Sequence, residues 1–148
     1  MQSIESIVAK LNPFYIVVTA IAQQLFTIIW FGWIIHHIEH YYYAADKGVR
    51  RSEHVIQRYS AIIVTGATFI SCLARSAVVL ALVSTFKAST LQDYQVIALA
   101  VTFISMISMH RDISRQRPFQ LLATQCVYEA TATMLAAVGC YYLQQYKF

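Results

Sequence analysis

The stretch PFQLLATQCVYEATATMLAAVGCYY, residues Pro118 to Tyr142, decides the fold of this chain. It contains no Lys or Arg and one acidic residue, Glu129, near its middle. As an α-helix it would be about 37 Å long, which is enough to cross a bilayer with some tilt. A carboxylate at that depth requires a partner, because an isolated charge is costly in hydrocarbon.

Composition extends this interpretation to the whole chain. Of the 148 residues, 58% are hydrophobic and 12% are charged, whereas soluble domains carry about 25% charged residues. Apolar stretches at about residues 13–38, 59–86, 93–109 and 118–142 are long enough to be membrane helices. The sequence therefore predicts an all-α integral membrane bundle of four transmembrane helices, forming a single domain over residues 1–148.

Arg75 is the only basic residue inside the other apolar stretches. In a four-span chain the second and fourth spans run in the same direction, and Arg75 and Glu129 lie about 7 Å apart in depth. Side chains on a helix lean toward its N-terminus, so Arg75 can reach back to Glu129. We expect an intramembrane ion pair, supported by Gln125 one turn before the acid. Either a structural role or an ion or proton site would suit such a pair.

Other polar residues within the spans indicate how the helices face. Gln23 and Gln24 lie at mid-depth, and at least one should face a neighbouring helix, because an amide in lipid needs a hydrogen-bond partner. A row of small residues in the fourth span, Ala132, Ala136 and Cys140, predicts close helix packing. The polar segment after the first span is treated as a loop with a break at Gly48.

Basic residues concentrate in two loops, which hold seven of them: Lys47, Arg50, Arg51, Arg58, Arg111, Arg115 and Arg117. The opposite side has Lys10, Lys87 and Lys147. The positive-inside rule then places the two loops inside and both termini outside. This topology explains the net charge of +4 without nucleic acid, for which no binding motif is present.

The six arginines of these loops, Arg50, Arg51, Arg58, Arg111, Arg115 and Arg117, are also candidates for binding phospholipid head groups, cardiolipin included. The topology signal alone would account for them equally well. No other cofactor is expected.

Histidines gather on the same side as the basic loops. His36 and His40 are four residues apart and share a helix face, as metal-binding pairs do. Histidine-dependent membrane enzymes use several such boxes, and this chain has one, so interfacial contacts with head groups or a partner are the preferred interpretation. His36 and His40 remain the candidates for a metal or haem.

The chain resembles a family of small membrane proteins catalogued as domain of unknown function 1761. The resemblance is carried by Trp30-Phe31-Gly32, by Arg117-Pro118, and by Tyr128 and Gly139 in the last span. It implies a four-span bundle and no known catalysis. After Gly32 the sequence HHIEHYYY stands in place of the Pro- and Gly-containing turn of the family.

The preferred functional interpretation is a non-catalytic accessory subunit of a larger membrane complex, in an organellar energy-transducing membrane such as the mitochondrial inner membrane. Its partners would be other membrane subunits and phospholipids. One alternative is a small ion- or proton-coupled transporter that uses Glu129 and Arg75. The other is a histidine-dependent membrane metal or haem protein.

Overall fold

The computed structural model describes residues 11–50 and 59–146, and in these ranges the chain is helical with no strand. Four long helices are sufficiently long and apolar to cross a membrane, spanning Pro13–Ile34, Ala61–Phe86, Leu91–Ser114 and Phe119–Gln145. The predicted all-α architecture with four membrane helices is therefore confirmed. The loop that carries Arg115 and Arg117 lies at one end of the bundle, called here the Arg end, and the loop at Lys87 lies at the other, the Lys87 end.

The first span is interrupted where the sequence predicted a continuous helix to residue 38. Helix α1, Pro13–Ile29, passes into a π-helical turn, Trp30–Ile34, and a second helix, α2, covers His36–Asp46. Treating the start of the polar segment as a loop was thus wrong. The segment HHIEHYYYAAD is helical because it follows directly from the membrane span and lies over the last span.

Helix α2 ends just before Gly48, the residue at which the sequence predicts a break in this polar segment. The φ of Gly48, 68°, lies in the left-handed region, which glycine enters without steric strain. The amide of Gly48 donates to the Ala45 carbonyl at 3.1 Å, and the amide of Val49 donates to the Ala44 carbonyl at 3.0 Å. This pair of bonds is a Schellman motif, which satisfies the last carbonyls of the helix.

Side-chain caps fix the starts of three of the long helices. Asn12 accepts a hydrogen bond from the Phe14 amide at 3.0 Å, with Pro13 opening α1. Helix α3, Ala61–Phe86, begins after Ser60, whose hydroxyl accepts from the Ile63 amide. Helix α4, Leu91–Met106, begins with a capping box.

In this box, Thr90 Oγ1 accepts from the Asp93 amide at 3.2 Å, and Asp93 Oδ2 accepts from the Thr90 amide at 2.9 Å. Beyond α4 the chain continues as a 3₁₀ turn, Ile107–Met109, and a short helix α5, His110–Ser114. The third span is consequently longer at both ends than predicted.

Helix α6, Phe119–Gln145, is the element against which the other three long helices pack. Its small residues Ala132, Ala136 and Cys140 are fully buried, as their spacing predicted. Around them, at the Lys87 end, lies the apolar core, which includes Val79, Leu80, Val83, Tyr94, Ile97, Ala98 and Ala137. The small side chains of α6 thus allow the other three long helices to pack closely against it.

Candidate functional site

The structure brings Arg75 of α3 and Glu129 of α6 together inside the bundle. Arg75 Nη2 lies 2.6 Å from Glu129 Oε2. The side chain of Arg75 is 10% exposed and that of Glu129 23% exposed. A charge-assisted bond of this length is among the stronger polar contacts in proteins. In a low-dielectric interior the attraction between two opposite charges is stronger than it is in water.

The amide that supports the pair comes from α1. Arg75 Nη1 donates to Gln23 Oε1 at 3.3 Å, and Gln23 is completely buried. Gln125, which was predicted to support the acid, lines the cavity described below together with Glu129. Within the described residues it is Gln23 that supplies an amide to the arginine. The pair therefore joins three helices, α1, α3 and α6.

A chain of hydrogen bonds continues from Gln23 toward the Lys87 end. Gln23 Nε2 donates to Ser76 Oγ at 2.7 Å and to the Thr19 carbonyl at 3.2 Å. Thr19 Oγ1 lies 2.9 Å from the same Ser76 oxygen. We call the residues that make these contacts across the helices the polar ladder: Thr19, Gln23, Arg75, Ser76 and Glu129. Both oxygen and nitrogen of the buried Gln23 amide are paired, so no buried amide group of Gln23 is left unsatisfied.

Tyr128 flanks the ladder on the side of the Arg end. The Arg75 guanidinium lies 5.8 Å from the centre of its ring, within range of a cation–π contact. Its hydroxyl is 2.7 Å from that of Thr27. The ring also packs on Phe26 and Phe31, with centroids 6.0 Å and 4.8 Å away. The π-helical turn holds Phe31 at this position, next to the ion pair.

A second bridge between α1 and α3 lies nearer to the Arg end. Gln24 Nε2 donates to Thr68 Oγ1 at 3.2 Å, and Thr68 Oγ1 donates to the Thr65 carbonyl at 2.8 Å. Both glutamines of α1 thus face a neighbouring helix, whereas the sequence required only one to do so.

A cavity of about 240 Å³ opens between α2 and the Arg end of α6. Its lining combines charged, polar and aromatic side chains: Phe31, Glu39, Tyr43, Asp46, Arg117, Leu121, Thr124, Gln125, Tyr128 and Glu129. Glu129 therefore has Arg75 on one side and this cavity on the other. Burial raises the pKa of Glu39 above its usual 4.5, and the charge of His36 opposes that shift to a smaller degree.

The six candidate arginines do not share one environment. Arg117 lines the cavity and forms an ion pair of 3.4 Å with Asp112. Arg50, Arg111 and Arg115 are exposed. Arg51 and Arg58 lie outside the described residues.

The rings of His36 and His40 are in contact, with centroids 4.1 Å apart, and His37 is 5.6 Å from His36. Across residues 11–50 and 59–146, no three His, Cys, Asp or Glu side chains are grouped so that they could hold a metal ion. His54, which the sequence assigned to the same side, lies outside those ranges. His110 contacts the Ile107 carbonyl through Nδ1 at 2.7 Å.

Sequence reasoning missed Thr19 and Ser76 of the ladder, and it did not place Gln23 next to Arg75. Thr19, Gln23 and Thr27 recur every four residues on α1 and so lie on one face; this row was the signal that could have identified them. Ser76 adjoins Arg75 and has no comparable pattern. The contact of Cys126 Sγ with Met109 Sδ, at 3.2 Å, was also not foreseen.

Comparison of the chain with protein-family models, with curated proteins and with solved structures finds no match. The resemblance to domain of unknown function 1761 therefore stays a prediction.

Proposed function

We propose that this chain is a non-catalytic accessory subunit of a larger membrane complex, in which it packs against partner helices and lipid. The observation that carries the proposal is the polar ladder. Its charges and the buried Gln23 amide are paired with one another inside the chain. A site built to move an ion usually leaves part of the coordination free for it, whereas a site that holds helices together does not.

The outer surface supports the same role. All four long helices carry exposed, large apolar side chains, among them Ile21, Leu25, Ile28, Ile62, Ile70, Val96, Phe103, Ile104, Phe119 and Val127. Such a surface suits lipid and neighbouring membrane helices, since TM helices associate by close packing and not by apolar burial from water.

The first turns of α3 offer a specific place for a partner. Residues 61–67 are exposed on every side of the helix, and among the described residues no atom outside the adjacent helix backbone lies within 4 Å of where a Cβ of Gly66 would be. Within the described chain, this end of α3 is uncovered around its circumference. A small residue on an uncovered membrane helix permits close approach of another helix.

Two experiments test the proposal. The protein, tagged at its C-terminus, is extracted from its native membrane in mild detergent and its mass is measured under native conditions. A subunit migrates with other chains, and a protein of this mass alone in its micelle contradicts the proposal. Gly66→Leu should release the partners without reducing the thermal stability of the isolated chain, because its own fold leaves that position open.

The proposed membrane is the mitochondrial inner membrane, on the basis of the basic loops and small size, with both termini outside. Tags at residues 1 and 148 should then be cleaved, or protected, together by protease added to sealed membranes. Opposite behaviour of the two tags is incompatible with four spans.

A second candidate function, an ion- or proton-coupled transporter, is favoured by one observation: the cavity reaches Glu129. The purified chain in proteoliposomes would then conduct protons or cations, and Glu129→Gln would abolish the flux. If the purified chain conducts neither protons nor cations but assembles with other chains, the result supports the accessory-subunit proposal.

A further inference from the structure

The cavity at the Arg end is lined by both signs of charge. Glu39, Asp46 and Glu129 contribute carboxylates, and Arg117 contributes a guanidinium. A purely anionic ligand would meet more acidic than basic groups there. A ligand carrying a cation beside an anion matches the lining.

Most of these charges have ion-pair partners among the described residues, and one does not. Asp46 is 3.2 Å from Lys47, Arg117 is 3.4 Å from Asp112, and Glu129 pairs with Arg75. No basic side chain of the described residues forms an ion pair with Glu39. The carboxyl of Glu39 is partly withdrawn from solvent, which raises its pKa. The charge of His36 acts on Glu39 without forming an ion pair, so a ligand ammonium would supply a direct counter-charge.

Size and position narrow the ligand further. Sites for drug-sized molecules measure about 300–1,000 Å³, so a cavity of about 240 Å³ suits a smaller group. The cavity lies between α2, which follows the first membrane span, and the start of the last span. Chain segments that flank the ends of spans lie at the depth of the lipid head groups. The aromatic rings of Tyr43 and Tyr128 also line it and can contact a cation.

We propose that this cavity binds the head group of an aminophospholipid, with its primary ammonium at Glu39 and Asp46 and its phosphate at Arg117. The shared chemistry is phosphoethanolamine, and the membrane is its source. The site differs from the anionic-lipid site that the arginine-rich loops predict from sequence, and it does not depend on whether the chain is an accessory subunit.

The test is native mass spectrometry of the full-length, delipidated protein in detergent with one lipid at a time. The lipids are phosphatidylethanolamine, phosphatidylcholine, phosphatidylglycerol and cardiolipin of matched acyl chains. Phosphatidylethanolamine should be retained best. Phosphatidylcholine should bind several-fold more weakly, because its trimethylated ammonium donates no hydrogen bond to a carboxylate. Phosphatidylglycerol or cardiolipin binding as tightly as phosphatidylethanolamine would overturn the proposal and favour an anionic-lipid site.

Variants and a soluble competitor complete the design. Glu39→Gln should weaken phosphatidylethanolamine binding by about tenfold, as expected for loss of a charge-assisted hydrogen bond, and leave phosphatidylglycerol binding unchanged. Asp93→Asn removes the same charge at the Lys87 end and should have no effect on either lipid. Unchanged phosphatidylethanolamine binding by a folded Glu39→Gln protein contradicts the assignment.

If soluble phosphoethanolamine displaces the lipid at an equal concentration, the acyl chains contribute nothing to the affinity. The ligand would then be free phosphoethanolamine and not a lipid. If a variant fails to fold, the lipid series on the unmodified protein still supports or overturns the proposal, because it requires no substitution.

Discussion

Gly139 lies where α6 passes close to α1, and substituting it tests the packing of the bundle. A Cβ at position 139 would be 3.0 Å from Thr19 Cγ2. Thr19 has little freedom to withdraw, because its hydroxyl is bound to the Tyr15 carbonyl at 2.7 Å and to Ser76 at 2.9 Å. Overpacking of this kind costs about 1–3 kcal/mol.

Helix propensity acts in the opposite direction. Replacing Gly by Ala within a helix stabilises it by about 1 kcal/mol, so the net effect of Gly139→Ala should be a loss of about 0–2 kcal/mol. Thr19→Ser removes Cγ2, the atom in contact, and keeps the hydroxyl that belongs to the ladder. In the Thr19→Ser background, Gly139→Ala should therefore become stabilising by about 1 kcal/mol.

The assay is unfolding of the purified protein in mixed micelles with increasing SDS, followed by circular dichroism. Gly66→Ala serves as a matched control, because Gly66 is also helical and its Cβ would meet no atom of the described chain within 4 Å apart from the adjacent helix backbone. It should stabilise the protein by about 1 kcal/mol in either background. If Gly139→Ala stabilises as much as Gly66→Ala while Thr19 is intact, α1 and α6 do not approach as described.

Three further outcomes are expected. Tyr128→Phe should cost about 0.6–1.7 kcal/mol in the same assay, the range for hydrogen bonds between membrane helices, and should cost nothing more once Thr27 is replaced by Val. Thr90→Ala should lower the free energy of unfolding by about 0.5–2 kcal/mol through loss of the capping box. Equal stability of the variant and the unmodified protein would exclude that cap. The raised pKa of Glu39 means that ionising its carboxyl lowers the stability of the folded state. This loss of stability is absent at a pH below the pKa that Glu39 has in the unfolded chain, and complete at a pH above the pKa that it has in the folded chain. Glu39→Gln without added lipid should consequently raise the melting temperature at pH 7, and the gain should vanish as the pH falls below about 4; a gain that persists in acid would not come from the charge.

The spans and the ion pair could be predicted because both depend on depth. Apolar length sets where a helix enters and leaves the membrane, and depth alone suggested that Arg75 and Glu129 could meet. Which amide joins them depends on how the helices are rotated about their axes. Gln125 is near Glu129 along the chain, whereas Gln23 lies on the side of α1 that faces Arg75, and the helix period of Thr19, Gln23 and Thr27 was the available signal.

The course of the chain after Ile29 could not be predicted for a different reason. The sequence HHIEHYYYAAD is polar enough to resemble a loop, and its helix follows from a π-helical turn that no apolar pattern marks. The cavity depends on α2, because Glu39, Tyr43 and Asp46 line it together with residues of α6 only when they lie on one face of α2. Composition places Arg117 in a basic loop, and only the fold shows that it lines a cavity together with three carboxylates.

The central claim is that Arg75 and Glu129 hold the helices together as a structural pair, and a double-substitution cycle tests it most directly. Glu129→Gln should cost about 3–5 kcal/mol, because Arg75 is then left as an uncompensated charge. Arg75→Gln should cost at least as much, since it strands Glu129 and also removes the donor to Gln23 Oε1. The double variant should be less destabilised than either single variant, whereas Thr90→Ala, a control at the Lys87 end, should add independently to each. Single effects that sum to the double effect within a few tenths of a kcal/mol would show that the two residues do not touch, and would contradict the account.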